Sequence, residues 1–236
     1  MNAPQPSART AELAPGVQAL PHGLMLLERS RVLVAADAHF GYEDVIGGAL
    51  PLWSTTAAIS VLVSALERTH ARELVLLGDI IHGSRMSAGA AAVIGAGLQA
   101  LRARCSVTLI AGNHEGRTRG LAILGNTEDA IERDGWILIH GDKPVAASKC
   151  IVGHLHPSIA LGGRQSIPAF LASPRIVVVP ALTPYSRGLN VCSAECSAAI
   201  RRFVPTIDGI AVTASGEEKV YPFGSLRELR ELTAHR

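Results

Sequence analysis

Aromatic residues are scarce in this chain, with four Phe, three Tyr and two Trp making up 4% of 236 positions. That scarcity argues against a base-stacking surface and against the aromatic belts of membrane proteins. An excess of charge of either sign is also missing. Lys and Arg number 22 against 20 Asp and Glu, a formal net charge of +2. Such balance excludes a protein that holds nucleic acid by bulk electrostatics, while leaving room for a local basic patch. Long hydrophobic runs are absent too: the most apolar later stretch, Ala88 to Leu101, is broken by Gly89, Gly95, Gly97 and Gln99 and makes no spanning helix. The opening segment Met1 to Gly16 is polar and rich in Ala and Pro, without the basic leader and apolar core of a signal peptide. Residues 1–20 are therefore expected to form a flexible arm ahead of one domain spanning 21–236, in a soluble, cytoplasmic protein with no membrane partner. Only four cysteines occur, Cys105, Cys150, Cys192 and Cys196, which fit reduced thiols. Cys192 and Cys196 could share a helix face around zinc, but no second ligand pair stands at zinc-finger spacing.

What is present is enough apolar sequence for a full core, 48% hydrophobic against 18% charged. Leu24 to Glu28 and Arg31 to Ala36 read as a hairpin turning at Arg29 and Ser30. The second of these strands is apolar on both faces and so central. Thr55 to His70 carries Ile59, Leu62, Val63 and Leu66 at helical spacing, and Leu74 to Leu77 is again an apolar strand. A helix between two such strands is a βαβ unit with parallel strands and a right-handed crossover. A second helix, Ala88 to Arg104, leads to the strand Val107 to Ile110. Trp136 to Ile139, Cys150 to Val152 and Ile176 to Val179 follow as further strands. Ala211 to Ala214 and Lys219 to Tyr221 suggest a hairpin around Gly216, Leu226 to Leu232 a charged helix, and Pro168 to Pro174 a rim loop that permits a homo-oligomeric contact.

The ends of these strands carry the chemistry. Asp37-Ala38-His39 follows the first central strand, and residues two apart in extended chain face the same way. Taken alone, this triplet fits an Asp turn beside a surface histidine as well as it fits a pair of ligands. Gly78-Asp79 ends the next strand, Gly112-Asn113-His114-Glu115 the third, His140 the fourth, and Gly153-His154-Leu155-His156 the fifth. Five apolar strands in succession thus end in residue types that ligate metals, at the carboxyl ends where open α/β sheets place their ligands. Mixed imidazole, amide and carboxylate donors suit manganese, iron or zinc better than magnesium or calcium.

The series Asp-x-His, Gly-Asp, Gly-Asn-His-Glu, His and Gly-His-x-His, in that order between residues 37 and 156, resembles the calcineurin-like metallophosphoesterases. The segment Val179 to Val191 and the short length are similar to the prokaryotic ligase-associated DNA damage response endonucleases, the PdeM-type metallophosphoesterases, and more distantly to the SbcD nucleases. The resemblance implies an α/β fold, a two-sheet β-sandwich flanked by helices. It implies two divalent ions, manganese first with iron and zinc as alternatives. Asp37, His39, Asp79 and His156 would hold one, and Asp79, Asn113, His140 and His154 the other. It further implies hydrolysis of a phosphodiester, in DNA or a nucleotide, by a metal-bridging hydroxide, with DNA-repair proteins as partners. His114 would be the catalytic residue, facing the leaving oxygen.

The pattern departs from the phosphoprotein-phosphatase branch at one place. That branch has an Asp three residues after the bridging Asp, and this chain has His82, which reads either as a surface loop histidine or as a contact of substrate or of His114. Arg117 and Arg119 are candidates to fork onto a non-scissile phosphate, as are Arg85 and Arg187, with Lys143 and Lys149 flanking a ligand loop. Glu115 reads as a loop anchor. The same core would serve a phosphomonoesterase or nucleotide phosphohydrolase, and a non-catalytic scaffold shares the fold. Scaffolds tend to lose a ligand or the catalytic histidine, whereas all of these are present here.

Overall fold

The computed structural model describes residues 9–47, 51–83, 86–114, 123–143, 149–162, 165–186 and 188–234. Two sheets lie at its centre. The first has six strands in sequence order, β1 (Ala11–Ala14), β2 (Val17–Ala19), β3 (Met25–Leu27), β4 (Val32–Ala36), β5 (Glu73–Leu77) and β6 (Ser106–Ile110). β1 to β4 run antiparallel, and β4, β5 and β6 are parallel. The expected βαβ unit is present, with α2 (Trp53–Thr69) as its crossover helix and α3 (Ala88–Arg102) as the next. A short helix, α1 (Tyr42–Ile46), precedes them.

The second sheet contains β7 (Ala130–Arg133), β8 (Trp136–Ile139), β9 (Cys150–Val152), β10 (Pro157–Gly162), β11 (Gln165–Ala172), β12 (Ile176–Val178) and β13 (Leu189–Asn190). β14 (Ala211–Ser215) joins β11, and β15 (Val220–Ser225) joins β14. At its centre β8, β9 and β12 are parallel. Helices α4 (Ala194–Ile200) and α5 (Leu226–Ala234) belong to this half.

Alternation along the strands sorts the apolar residues into layers. Leu33, Ala35, Leu74, Leu76 and Leu109 share a core with Ala58, Leu62 and Leu66 of α2 and Ile94, Leu98 and Leu101 of α3. Their neighbours Val32, Val34, Val75, Leu77 and Ile110 meet Trp136, Leu138, Ile151, Phe170 and Val177 between the sheets. Cys150, Val152, Ile176 and Val178 meet Cys196, Ile200, Leu226 and Leu229 of α4 and α5 on the far side. The order of layers is therefore helix, sheet, sheet, helix. α3 is rich in Ala and Gly because α2 lies close: a Cβ at Gly97 would fall 2.2 Å from Ile59 Cδ1.

Two expectations are corrected. Part of the opening segment is not a loose arm, because β1 and β2 pair as a hairpin with Ala11 opposite Ala19, and Ala14, Val17 and Ala19 are buried. Its turn is Pro15-Gly16, with Gly16 at φ 76°. Nor is Pro168 to Pro174 a loop, since β11 runs through Ala172. Residues 165–168 pair with β10 and pairing with β14 begins at Ala169, so Pro168 sits where the strand has one neighbour only. All four cysteines are free. No described helix is long and apolar enough to cross a membrane.

Phe170 is fully buried between the sheets. Phe170→Ala should lower stability by about 3–5 kcal/mol. Urea unfolding should show this as a lower midpoint at unchanged slope, and a shift of a few tenths of a kcal/mol would mean that the sheets do not close on this ring.

Candidate metal centre

The parallel strands bring five loops to one edge of the sandwich. Asp37 follows β4, Asp79 follows β5, Asn113 and His114 follow β6, His140 follows β8, and His154 and His156 follow β9. The two sheets are tied here as well: Ala181, beyond β12, bridges to Ala36 in parallel, and Leu182 N–H donates to the Ala36 carbonyl at 2.8 Å.

Asp37 and Asp79 are 0% and 2% exposed. Each has one carboxylate oxygen held by main-chain donors from another loop. His154 N–H donates to Asp37 Oδ2 at 2.8 Å, and Asn113 and His114 N–H donate to Asp79 Oδ1 at 2.8 and 2.9 Å. This crossing of loops explains two motif glycines. A Cβ at Gly112 would lie 2.1 Å from the Asp79 nitrogen, and one at Gly153 would lie 2.6 Å from Asp37 Oδ2.

The second oxygens face imidazoles. Asp37 Oδ1 lies 3.4 Å from His156 Nε2 and 3.5 Å from His140 Nδ1, and Asp79 Oδ2 lies 3.5 Å from His140 Nε2 and 3.8 Å from His114 Nε2. His140 Nε2 also approaches Asn113 Oδ1 at 2.9 Å and His154 Nδ1 at 3.1 Å. Among the described residues, Asp37, His39 and His156 form one group whose ligand atoms lie within 4.8 Å of one another, and Asp79, His140 and His154 form another. These groups could each hold a metal ion. Asp37 Oδ1, His140 Nδ1 and His156 Nε2 are buried without a hydrogen-bond partner. Leaving such atoms unpaired costs about 1–3 kcal/mol each, and a cation between Asp37 Oδ1 and His156 Nε2 would satisfy both.

The backbone is strained at the same points. Asp37, His39, Asp79, His154 and His156 all have φ between 40° and 61°. Non-glycine residues adopt that left-handed region rarely, and at a cost.

Burial, the largest effect, lowers the pKa of His39 to about 3, with His156, His82 and His114 pushing the same way against Asp79. Burial likewise lowers His154, aided by His140 and opposed by Asp37, Asp79 and Asp142. Neutral imidazoles are the form that metals bind. Burial also pulls on His156, but contact with Asp37 and the charges of Asp37 and Asp79 outweigh it and raise the pKa.

His114 is half exposed, and its ring lies 5.3 Å from that of His39 and 5.5 Å from that of His82. His82 is no lone surface histidine. Its Nδ1 is 3.1 Å from His39 Nδ1, its ring stacks on His114 at 22°, and His39, His82 and His114 make a third group of potential ligands. Burial, then His114, lower its pKa.

Arg85, Glu115, Arg117, Arg119 and Arg187 lie outside the described residues. Lys149 is engaged elsewhere, with its Nζ 5.5 Å from the centre of the Trp136 ring. The sequence reading missed Ser186, whose Oγ is 2.7 Å from His156 Nδ1 and orients that ring. It also missed Tyr42, which stacks on Tyr185 at 4.5 Å and meets the His82 ring edge at 4.7 Å. No spacing in the sequence joins these three residues. A cleft of about 820 Å³ opens beside His156, walled by Ala57 and Val61 of α2, Ile167 of β11, and Leu182, Thr183, Pro184 and Ser186.

No family model matches this sequence, and no curated protein does. Solved structures do match. The crystal structure of the Pseudomonas putida nuclease MPE superposes with a TM-score of 0.70 at 21% identity, covering 92% of this chain and all of that one. YfcE, a phosphoesterase from E. coli, matches with a TM-score of 0.40 at 17% identity over 64% of this chain and 80% of its own, a likeness too slight to build on. The chain has the metallophosphoesterase fold, two sheets flanked by helices.

Proposed function

We propose that this protein is a metal-dependent phosphoesterase that hydrolyses phosphodiesters, with nucleic acid as the substrate class, from a two-metal site. One observation carries the reading: two carboxylates, buried and anchored through one oxygen each, turn the other oxygen toward groups of neutral or carboxylate-paired histidines at the carboxyl ends of parallel strands. Asp37, His39 and His156 would hold one cation, with Asp79, Asn113, His140 and His154 around the second and Asp79 shared between them. Two divalent ions in such a site supply charge neutralisation on phosphoryl oxygens and an activated water at neutral pH.

The chain's own groups have separate tasks. Asn113 and His114 N–H lock Asp79, so Oδ2 is the oxygen free to ligate. Ser186 fixes the ring plane of His156. His114 has its ring partly in solvent beside the ligands, the position from which an imidazolium would give a proton to a leaving oxygen. The cleft beside His156 leaves room for a substituent on one side of a bound phosphate, as a diester requires. The P. putida protein that shares the fold is a nuclease, which makes DNA a substrate to try first.

With manganese added, bis(p-nitrophenyl) phosphate and single- or double-stranded DNA should be turned over faster than p-nitrophenyl phosphate. Strong monoester turnover with no diester activity would overturn the proposal. His114→Ala should keep its metal by elemental analysis and lose roughly 10²- to 10⁴-fold in rate. Asp79→Asn should lose metal as well, and a metal-free His114→Ala would reassign that residue as a ligand.

A further inference from the structure

The aromatic residues of this chain are few, and several, Trp53, Tyr221 and Phe223 among them, are exposed without a ring contact among the described residues. Phe40, Trp136 and Phe170 are buried in the core. Tyr42 and Tyr185 are different. They come from opposite halves of the molecule, Tyr42 from the first turn of α1 and Tyr185 from the segment that follows β12, and their rings stack with centroids 4.5 Å apart at 20°. Tyr42 in turn sets an edge against His82 at 4.7 Å, and His82 meets His39 and His114. A continuous series of rings therefore leads from the metal-ligand candidates to the rim, where Tyr185 is 42% exposed.

The pair is also held firmly. Glu43, next to Tyr42 and 3% exposed, accepts from Ser54 N–H at 2.7 Å and from the hydroxyls of Ser54 and Thr55, which ties α1 to the start of α2. Gly41 N–H donates to Thr55 Oγ1 at 2.9 Å. On the other side, Thr183 N–H reaches the Asp37 carbonyl at 3.4 Å, Tyr185 N–H the Thr183 hydroxyl at 3.4 Å, and Ser186 bonds His156. Burying a carboxylate to fix a five-residue helix has little return in core packing, since α1 exposes Val45 and Ile46. It does fix Tyr42, and through it one face of Tyr185. Flat rings that are rigid before binding lose little entropy when a second ring stacks on them.

Although scarce aromatics argue against an extended base-stacking surface, we infer that the single stacked pair makes Tyr185, backed by Tyr42, a stacking platform for one nucleobase next to the phosphate that would occupy the metal centre. The inference rests on the phosphodiesterase reading and narrows it to substrates that carry a base, taken as single strand or unpaired end so that a ring face is free. It also gives the chain a means of holding nucleic acid that its balanced net charge does not supply.

Two single strands of equal length separate base from backbone: an oligothymidylate, and an abasic strand with the same phosphates. Manganese-loaded protein should bind oligothymidylate more tightly by about tenfold, as read by fluorescence anisotropy in a His114→Ala background that slows cleavage. Tyr185→Leu should bring the ratio of the two affinities close to one, and Tyr185→Phe should preserve it. Circular dichroism melting of each variant checks that the fold is intact. Equal affinity for the two strands in the Tyr185 protein, no binding of either, or an equal loss on both strands in Tyr185→Leu would overturn the platform. Hydrolysis of both strands by the wild-type enzyme with no difference in affinity defeats the platform and leaves the phosphodiesterase reading standing. A difference in affinity without any hydrolysis supports the platform and defeats that reading.

Discussion

Two carboxylates taken out of water at the meeting edge of two sheets set the terms for everything around them. Asp37 and Asp79 are almost wholly buried, and no Lys or Arg pairs with either among the described residues. A buried anion without a partner costs several kcal/mol. Here compensation comes in halves: main-chain N–H groups from the loops after β6 and β9 hold one oxygen of each, and imidazoles face the other. Such contacts at 3.4 to 3.8 Å only partly balance two negative charges. A divalent cation would balance them fully, and the groups around them could hold one.

The same halves dictate the local backbone. For a loop N–H to reach a carboxylate in the next loop, the two chains must approach more closely than a side chain allows, hence Gly112 and Gly153. The chain must also reverse immediately after each strand, and five of the residues that do so are ligand candidates in left-handed conformation. Strain of this kind persists only where surrounding structure over-determines it. The fully buried residues of β4, β5 and β9 and the bridge from Ala36 to Ala181 provide that rigidity. Fold stability and site geometry are coupled at the strand ends, since loosening the inter-sheet core would release the turns that aim the ligands.

Much of this was legible in the sequence because it depends on short-range rules. Apolar runs such as Val32 to Ala36 and Leu74 to Leu77 announce buried parallel strands, and the polar residues just after them must sit at carboxyl ends. The central strands and α2 and α3 follow from periodicity alone. What escaped notice depends on long-range pairing. β1 and β2 hid behind an Ala- and Pro-rich composition, although Pro15-Gly16 is a turn signal, and β11 hid behind Pro168 because an open stretch of strand tolerates proline. Ser186 and the stacked tyrosines were invisible for a stronger reason. Their partners lie 30 residues away for Ser186 and on the other half of the sandwich for Tyr185, and nothing in local chemistry marks an ordinary Ser or Tyr as part of a site.

His82 shows how one residue type shapes the contacts of the histidines around it. A carboxylate three residues after Asp79 would add a third negative charge near two buried ones, and would fix a histidine by an ion pair. An imidazole there does neither. Burial and His114 lower the pKa of His82, which disfavours a positive charge on its ring. It meets His114 by ring stacking at 5.5 Å, a contact that restrains the plane of that ring. The ring contacts also extend outward, edge-on from His82 to Tyr42 and by stacking from Tyr42 to Tyr185. Under the proposed function, the proton donor would thus be positioned by the same series of ring contacts that a substrate base meets, and a base seated on Tyr185 would bear on the setting of His114 without touching it.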